Sequence, residues 1–358
     1  MPPETRRQRI ADLRMNAPEK PAVFEHRHAG HCETGVTAGL LRHAGLELSE
    51  PMALGLGNGL TFVHLPFFKV GGLPLTSYRQ PPGSIYRTLA RRLGFKLRRQ
   101  RFASPDEGMR ALDAHLDAGR VVGAQSSVFW LPYFPPTMRF HFNAHNLIVY
   151  GREHGPPAAD GGGSPVYLIS DPVFEHPQRC AGADLAKARF VKGALAPKGL
   201  LYWPEDVPAT IDYARLVPKA IRGTVNMMVR TPVPILGVRG IRYLARRIGK
   251  LQQGDPRYAR LFVGQIVRMQ EEIGTGGGGF RFMYAAFLQE AGERLDSPAL
   301  RDASRQMTET GDAWRQFALA GAKFVKDKKS QDFAGLVAAL NACAEREEQV
   351  YRFLLKNL

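Results

Sequence analysis

Three residues in the first half of the chain have the types and spacing that covalent catalysis by a cysteine requires. Cys32 stands at the start of a predicted helix, His145 lies within a predicted strand, and Asp171 closes the next predicted strand. A thiolate is the working nucleophile, and a helix N-terminus and a neighbouring imidazolium both favour that form of a cysteine. A carboxylate that accepts a hydrogen bond from the imidazole fixes its orientation. The pattern therefore predicts a Cys-His-Asp arrangement.

Other interpretations of these residues stay open on the residue pattern alone. A cysteine beside a glycine-rich helix is also typical of close packing, and neighbouring His31 would then fix the loop before the helix. His141 lies four residues before His145, so on one strand both would share a face and could act as base or metal pair. No third residue has the spacing of a metal ligand, so we expect no metal.

The elements that must position these side chains can be read from the hydrophobic pattern. The segment GHCETGVTAGLLRHAG predicts a buried helix with small residues on its packed side, ended near Gly45. Three segments, VVGAQSSVFW, FHFNAHNLIVYG and PVYLISDP, predict strands because they are rich in β-branched and aromatic residues between turns. We therefore predict an α+β domain in which the cysteine helix packs on an antiparallel sheet.

From about residue 205 the pattern is helical to the end of the chain. Prolines punctuate predicted helices at 211–230, 237–252, 256–273, 280–295, 298–326 and 331–356. The prediction is a flexible arm at 1–22, a catalytic domain at 23–204 and an all-α domain at 205–358.

Composition narrows the classes of partner and compartment. The chain of 358 residues has 49 Lys and Arg against 33 Asp and Glu, a net charge of +16, which favours an anionic partner. Its three scattered cysteines form no disulfide framework, so a cytoplasmic location is expected. No apolar run approaches the ~20 residues of a membrane span, and no nucleic-acid-binding motif accompanies the charge. We therefore expect neither a membrane nor a nucleic-acid partner.

Four segments together resemble a known family. GHCETGVTAGLLRHAGLELSEPMALGLGNGLTF resembles the start of the butirosin-biosynthesis protein H family, and RFHFNAHNLIVYGRE and VYLISDP resemble its later His and Asp-Pro strands. IGTGGGGFRFMYAAFLQEAGE resembles the helical domain of unknown function that often follows. The resemblance covers roughly residues 25–355.

The resemblance implies a papain-like fold, akin to bacteriocin-processing cysteine peptidases, and acyl transfer rather than proteolysis. The named member of the family moves an aminoacyl group from an acyl carrier protein thioester to an aminoglycoside amine. By this match Cys32 would be the nucleophile, His145 the base and Asp171 the residue that orients the base. Papain-like enzymes usually carry a Gln upstream of the cysteine as an oxyanion donor, and this chain has none between Gln8 and Cys32.

The resemblance also implies partners. We expect an acidic acyl carrier protein, whose phosphopantetheine arm is part of the substrate, a small-molecule amine acceptor, and no separate cofactor. Candidate binding residues are His31, Asn143 and Arg281; the last follows a glycine run at 274–279 that suits either a phosphate site or a tight interdomain turn. The densest basic stretch is a candidate docking surface or a solvated face and comprises Arg91, Arg92, Arg98, Arg99 and Arg101.

The leading hypothesis is a cysteine acyltransferase of antibiotic or secondary-metabolite biosynthesis. Two alternatives remain: a peptidase or thioesterase with the same triad, and a non-catalytic protein that binds a carrier or another anion. Apolar faces on the C-terminal helices would serve either as an intrachain lid or as a homodimer interface.

Overall fold

The computed structural model of the chain describes residues 23–154, 164–273 and 275–358. The predicted arm at 1–22 lies outside the described residues. The fold is α+β, as predicted, with an antiparallel sheet and a C-terminal helical region. The contacts divide the described chain into two compact units: unit 1 comprises 23–48 and 93–210, and unit 2 comprises 49–92 and 211–358.

The strands, in chain order, are β1 Leu60–Val70, β2 Leu73–Arg79, β3 Lys96–Gln100, β4 Val122–Ser126, β5 His145–His154, β6 Pro165–Ser170, β7 Gln178–Ala181 and β8 Leu201–Glu205. The α-helices are α1 Cys32–His43, α2 Glu50–Leu56, α3 Ser84–Leu93, α4 Pro105–Asp117, α5 Gly182–Phe190, α6 Tyr213–Val225, α7 Gly237–Lys250, α8 Pro256–Glu271, α9 Arg281–Arg294, α10 Pro298–Lys326 and α11 Phe333–Asn357.

Unit 1 is built on an antiparallel sheet of six strands in the order β3-β8-β4-β5-β6-β7. Helix α1 packs on β5 and also contacts β4 and β8. The hydrophobic core includes Leu147 and Val149 of β5, Leu112 of α4 and Leu185 of α5. The last strand in sequence, β8, fills a position between β3 and β4, so the sheet is complete only when residues near 205 are in place.

Missing Cβ atoms allow α1 to lie close to its neighbours. A Cβ at Gly35 would lie 2.7 Å from side-chain atoms of both Ala29 and Pro172, and one at Gly39 would lie 2.9 Å from Ile148 Cδ1. Either approach is closer than carbon atoms tolerate, so Gly39 sets the distance of the helix from β5, and Gly35 allows the segments that carry Ala29 and Pro172 to lie against the helix. The predicted packing of small residues on this helix is confirmed.

Unit 2 combines the β1–β2 hairpin with α2, α3 and the C-terminal helices. The predicted division near residue 205 placed residues 49–92 with the first domain, whereas the contacts group them with the C-terminal helices. The reason lies in the packing: α2 packs against α9 and β1 against α7. At Gly55 of α2, a Cβ would lie 2.2 Å from the ring of Phe287, so this packing depends on glycine.

The helices of unit 2 begin where local chemistry predicts. The side chains of Asp255 and Ser297 accept hydrogen bonds from main-chain N–H groups in the first turns of α8 and α10, each of which opens with a proline. No helix in the described ranges has both the length and the apolar character needed to cross a bilayer.

Candidate active site

Cys32 is the first residue of α1 and is largely buried. The preceding residue, His31, caps the helix: its ring Nδ1 accepts a hydrogen bond from the Thr34 main-chain N–H at 3.4 Å and lies 3.0 Å from the Thr34 hydroxyl. This capping geometry fixes the turn that presents Cys32. His31 therefore has a clear local partner, and its predicted role in substrate or carrier binding stays a prediction.

His145 and Asp171 form a buried pair beside the cysteine. His145 Nε2 donates to Asp171 Oδ2 at 2.7 Å, with the imidazole side chain 4 % exposed and the carboxylate 0 %. The pairing of β5 with β6 brings them together, because His145 opens β5 and Asp171 follows β6 directly. The second partner of the imidazole is the Cys32 side chain, which forms a hydrogen bond with it. Since Nε2 is held by Asp171, Nδ1 is the ring nitrogen left to exchange a proton with the thiol.

The predicted start of the strand that carries His145 was wrong. The sequence pattern predicts a strand over 140–151, with His145 in its middle, but the strand begins at His145. The cause is the segment before it, which is irregular: the ring of His141 stacks on Phe129, with centroids 4.1 Å apart. His141 and His145 therefore do not share a strand face, and the proposed base or metal pair has no geometric support. Within the described ranges no cluster of three or more His, Cys, Asp or Glu has metal-binding geometry.

Asp171 is held by more than the imidazole. The Tyr133 hydroxyl donates to Oδ2 at 2.9 Å, and the Val173 main-chain N–H donates to Oδ1 at 3.2 Å. Burial and the adjacent carboxylate raise the pKa of Tyr133 well above its usual value, so this hydroxyl stays a donor. From the sequence, Tyr133 in its Pro-rich loop could line an acyl pocket or be a core aromatic, because such a loop gives no sign of which group the hydroxyl meets.

The electrostatics of the pair favour a protonated imidazole. Burial alone lowers the pKa of His145, but the Asp171 carboxylate and the hydrogen bond with Cys32 outweigh it and raise the pKa to about 10. At neutral pH the site can therefore hold an imidazolium beside the sulfur, which is the arrangement that stabilises a thiolate. By contrast, burial raises the pKa of Cys180 to about 12 and that of Cys343 higher still, so neither is activated.

Asn146 is a further polar residue beside the sulfur. Its Nδ2 lies 3.9 Å from Cys32 Sγ, and its Oδ1 accepts a hydrogen bond from the Tyr202 hydroxyl at 2.8 Å. From the sequence, Asn146 could be a pocket residue or a strand-end residue, and nothing in the sequence indicates a role for Tyr202. No sequence signal connects the two, because Tyr202 lies 56 residues away on the last strand of the sheet.

Asn143 lies just before β5 and is buried. Its Nδ2 donates to the Ala194 carbonyl at 2.9 Å, while its Oδ1 is buried without a hydrogen-bond partner among the described residues. A buried acceptor of this kind costs free energy unless something donates to it. Its position two residues before His145 agrees with the predicted role in substrate binding, which stays a prediction.

Arg281 has a different setting from the one predicted. It lies in unit 2, is fully buried, and pairs with Glu347 at 2.6 Å. In the glycine-rich segment before it, the Gly278 N–H donates to the Glu271 carboxylate at 3.1 Å. The chain's own carboxylates thus occupy both groups proposed for a phosphate, so the geometry gives the predicted carrier contact no support.

The basic stretch proposed for carrier docking is also engaged within the protein. Arg98 pairs with Glu205 at 2.6 Å across β3 and β8 in unit 1. In unit 2, the Arg92 guanidinium donates to Asn58 Oδ1 at 2.5 Å and to the Leu56 carbonyl. These contacts leave less cationic surface than the sequence indicates.

Comparison with known families gives two matches. Residues 31–159 match the family model described as butirosin biosynthesis protein H, N-terminal. Residues 183–354 match a model described as a domain of unknown function, DUF4872. A search of curated proteins gives no significant match.

Proposed function

We propose that this chain, which belongs to the butirosin biosynthesis protein H N-terminal family and carries a DUF4872 domain behind it, is a cysteine-dependent acyltransferase. It would move an acyl or aminoacyl group from a carrier-protein thioester to an amine. A papain-like fold for unit 1, a cytoplasmic location and a place in antibiotic or secondary-metabolite biosynthesis belong to the same proposal. The supporting observation is the buried hydrogen bond of 2.7 Å between His145 Nε2 and Asp171 Oδ2, together with the hydrogen bond between the same imidazole and the Cys32 side chain.

In the first half-reaction the Cys32 thiolate attacks the thioester carbonyl carbon. A bond forms between that carbon and Sγ, and the tetrahedral intermediate collapses by breaking the bond to the sulfur of the phosphopantetheine arm. The leaving thiolate takes the proton from His145, which leaves a neutral imidazole and an acyl-cysteine. Asp171 holds the ring in position through Nε2 in both protonation states.

In the second half-reaction the acceptor amine attacks the acyl-cysteine. The neutral His145 takes a proton from the amine nitrogen, the new carbon–nitrogen bond forms, and the bond to Sγ breaks. Cys32 returns as a thiolate beside the imidazolium. Asn143 Oδ1, the buried acceptor without a described partner, would accept a hydrogen bond from the incoming amine.

The test is intact-protein mass spectrometry after incubation with short acyl thioesters. We expect one acyl adduct on the wild-type protein, absent from Cys32→Ala and retained in Cys180→Ala, the matched control for a buried cysteine. Added amines should release the adduct as an amide. Release by water at the same rate would assign a hydrolase instead, and an adduct that persists in Cys32→Ala would refute cysteine catalysis at this residue.

A further inference from the structure

The amide of Asn146 has a fixed orientation. The Ala144 carbonyl can only accept, and it lies 3.1 Å from Nδ2, so this atom carries the amide hydrogens. The Tyr202 hydroxyl then donates to Oδ1 at 2.8 Å. One Nδ2 hydrogen serves the Ala144 carbonyl, and the other is available toward Cys32 Sγ at 3.9 Å. The donor is therefore aimed before any substrate arrives.

The sheet explains why Tyr202 reaches this amide. Asn146 pairs with Gln125 and Tyr202 pairs with Gly123, so both side chains project from the same face. Gly123 provides the space for the ring, because a Cβ there would lie 2.6 Å from the Tyr202 ring atoms. The tyrosine thus crosses a glycine on the intervening strand to hold the asparagine.

We propose that Asn146 is the side-chain oxyanion donor of the reaction and that Tyr202 is the positioning residue that aims it. This inference rests on the proposed function. When Cys32 attacks, the carbonyl electron pair moves onto oxygen, and that oxygen is attached to the carbon bonded to Sγ. A donor beside the sulfur is within reach of it. The charge is stabilised in the intermediate and returned when the bond to the leaving group breaks.

The test separates acylation from the reactivity of the thiol. Asn146→Ala should slow single-turnover formation of the acyl-enzyme by about 10²- to 10³-fold, with little change in KM. Alkylation of Cys32 by iodoacetamide should slow far less than acylation, because that displacement forms no oxyanion and loses only the long 3.9 Å contact of Nδ2 with Sγ. Asn146→Gln should recover part of the rate.

Tyr202→Phe should slow acylation by about tenfold, because the amide remains but its orientation is lost. The matched control is Tyr167→Phe, which removes a hydroxyl that donates to Asp113 at 2.8 Å elsewhere in the same sheet. Equal losses in both Tyr variants would show a merely structural effect and overturn the role of Tyr202. Acylation at the wild-type rate in Asn146→Ala would overturn the oxyanion role, whereas a wild-type protein without any Cys32 adduct would refute the proposed function itself.

An independent observation concerns the charge of unit 2. Residues 213–254 contain nine Arg and Lys and no Asp or Glu, which accounts for +9 of the net charge of +16. Within this run, Arg239, Arg246 and Lys250 of α7 are exposed. Their spacing of seven and four residues aligns them along one stripe of the helix, about 16 Å long.

Among the described residues, the three cations of this stripe differ from cations on other helices of unit 2 in having no carboxylate partner. Arg294 and Arg352 pair with glutamates four residues earlier on their own helices. Among the described residues, Arg239, Arg246 and Lys250 have no ion pair with a carboxylate. The arrangement keeps positive charge unneutralised on one exposed face of α7.

The geometry points to this stripe as the docking surface for an acidic helix of a protein partner, which the proposed function identifies as the carrier. A lipid surface fits less well, because the apolar residues of α7, including Ile241, Leu244 and Ile248, are all buried and none is left to enter a bilayer. A row of carboxylates on one helix has the length and charge to match the stripe.

The experiment measures binding of a recombinant, phosphopantetheinylated acidic acyl carrier protein at two salt concentrations. The triple variant Arg239→Glu, Arg246→Glu, Lys250→Glu should weaken binding by about 10- to 100-fold at low salt and remove most of its salt dependence. The control variant, with the same change in net charge at exposed positions elsewhere in unit 2, is Lys326→Glu, Lys328→Glu, Lys329→Glu.

We expect the control to change binding by less than about threefold. Equal losses in both triple variants would mean that net charge alone attracts the carrier and would overturn the stripe. Binding of duplex DNA is measured in parallel. If the stripe variant lost DNA binding but kept carrier binding, the stripe would be assigned to nucleic acid instead. Acylation of Cys32 by a small thioester should be unchanged in the stripe variant, so failure of docking and failure of the proposed chemistry give different results.

Discussion

The raised pKa of His145 is the property of the site that a titration tests most directly. It lies near 10 because Asp171 and Cys32 outweigh burial, which by itself lowers the pKa of this histidine. Replacing Asp171 by Asn removes the charge but keeps an oxygen that can accept from Nε2. The contact with Cys32 remains, but the largest cause that raises the pKa is gone, so we expect the pKa to fall back toward the ordinary 6.5, a drop of about three units or roughly 4 kcal/mol.

The assay is a titration of the imidazole 13Cε1–1H signals in protein with labelled histidine, with His145 assigned by its absence in His145→Gln. His64 and His115 serve as internal references, since burial lowers the pKa of each to about 4 and neither should titrate at neutral pH. Tyr133→Phe is the matched control, because it removes a hydrogen bond to Asp171 while the carboxylate charge remains. Its His145 pKa should stay raised.

A wild-type His145 that titrates near 6.5 would refute this reasoning, as would an Asp171→Asn protein whose His145 pKa is unchanged. Circular dichroism and a thermal melt establish that each variant is folded. Acyl-enzyme formation should fall with the pKa, because the neutral imidazole no longer supports the thiolate and cannot supply a proton to the leaving group.

Three further predictions concern stability and positioning. Glu347→Ala leaves the buried Arg281 unpaired and should lower the free energy of unfolding by about 3–5 kcal/mol, measured by urea denaturation; a loss below 1 kcal/mol would contradict the burial of this pair. Gly35→Ala places a methyl group against Pro172, which follows Asp171, so it should cost about 1–3 kcal/mol and slow the proposed acylation, and an unchanged rate would contradict the tight packing. In a Cys32→Ala background the raised pKa of His145 stabilises the fold fully below pH 6.5 and ever less as the pH rises toward the folded-state pKa. The stability difference from Cys32→Ala/His145→Gln should therefore shrink between pH 6 and pH 10, and a difference that grows would show that the sign is wrong.

Local signals in the sequence predicted much of the architecture. Prolines and caps predicted the C-terminal helices closely; the predicted helix at 298–326 has those bounds in the structure. Ser104 accepts from the Glu107 N–H at 3.3 Å and caps α4, the role that a Ser directly before a Pro-Asp-Glu first turn indicates. Such features depend on neighbours within a few residues, which a single sequence displays directly.

The features that sequence reasoning missed depend on distant partners. The pattern placed residues 49–92 with the N-terminal domain, but the fit of Gly55 against Phe287 groups them with the C-terminal helices. The glycine-rich segment before Arg281 suggests an anion-binding residue, but in the structure Arg281 is buried and pairs with Glu347 of α11. Contacts across 66 or more residues leave no periodic trace in a sequence.

The position of β8 in the sheet has a consequence for the order in which the protein is made. Cys32 is synthesised early, His145 and Asp171 much later, and Tyr202 on β8 later still. Pairings between residues so far apart close large loops and form slowly. A nascent chain therefore exposes its cysteine long before the imidazole and the amide can reach it. The imidazole that favours the thiolate reaches the sulfur only after β5 and β6 have been made, and the Asn146 amide gains its Tyr202 partner only when β8 has joined the sheet.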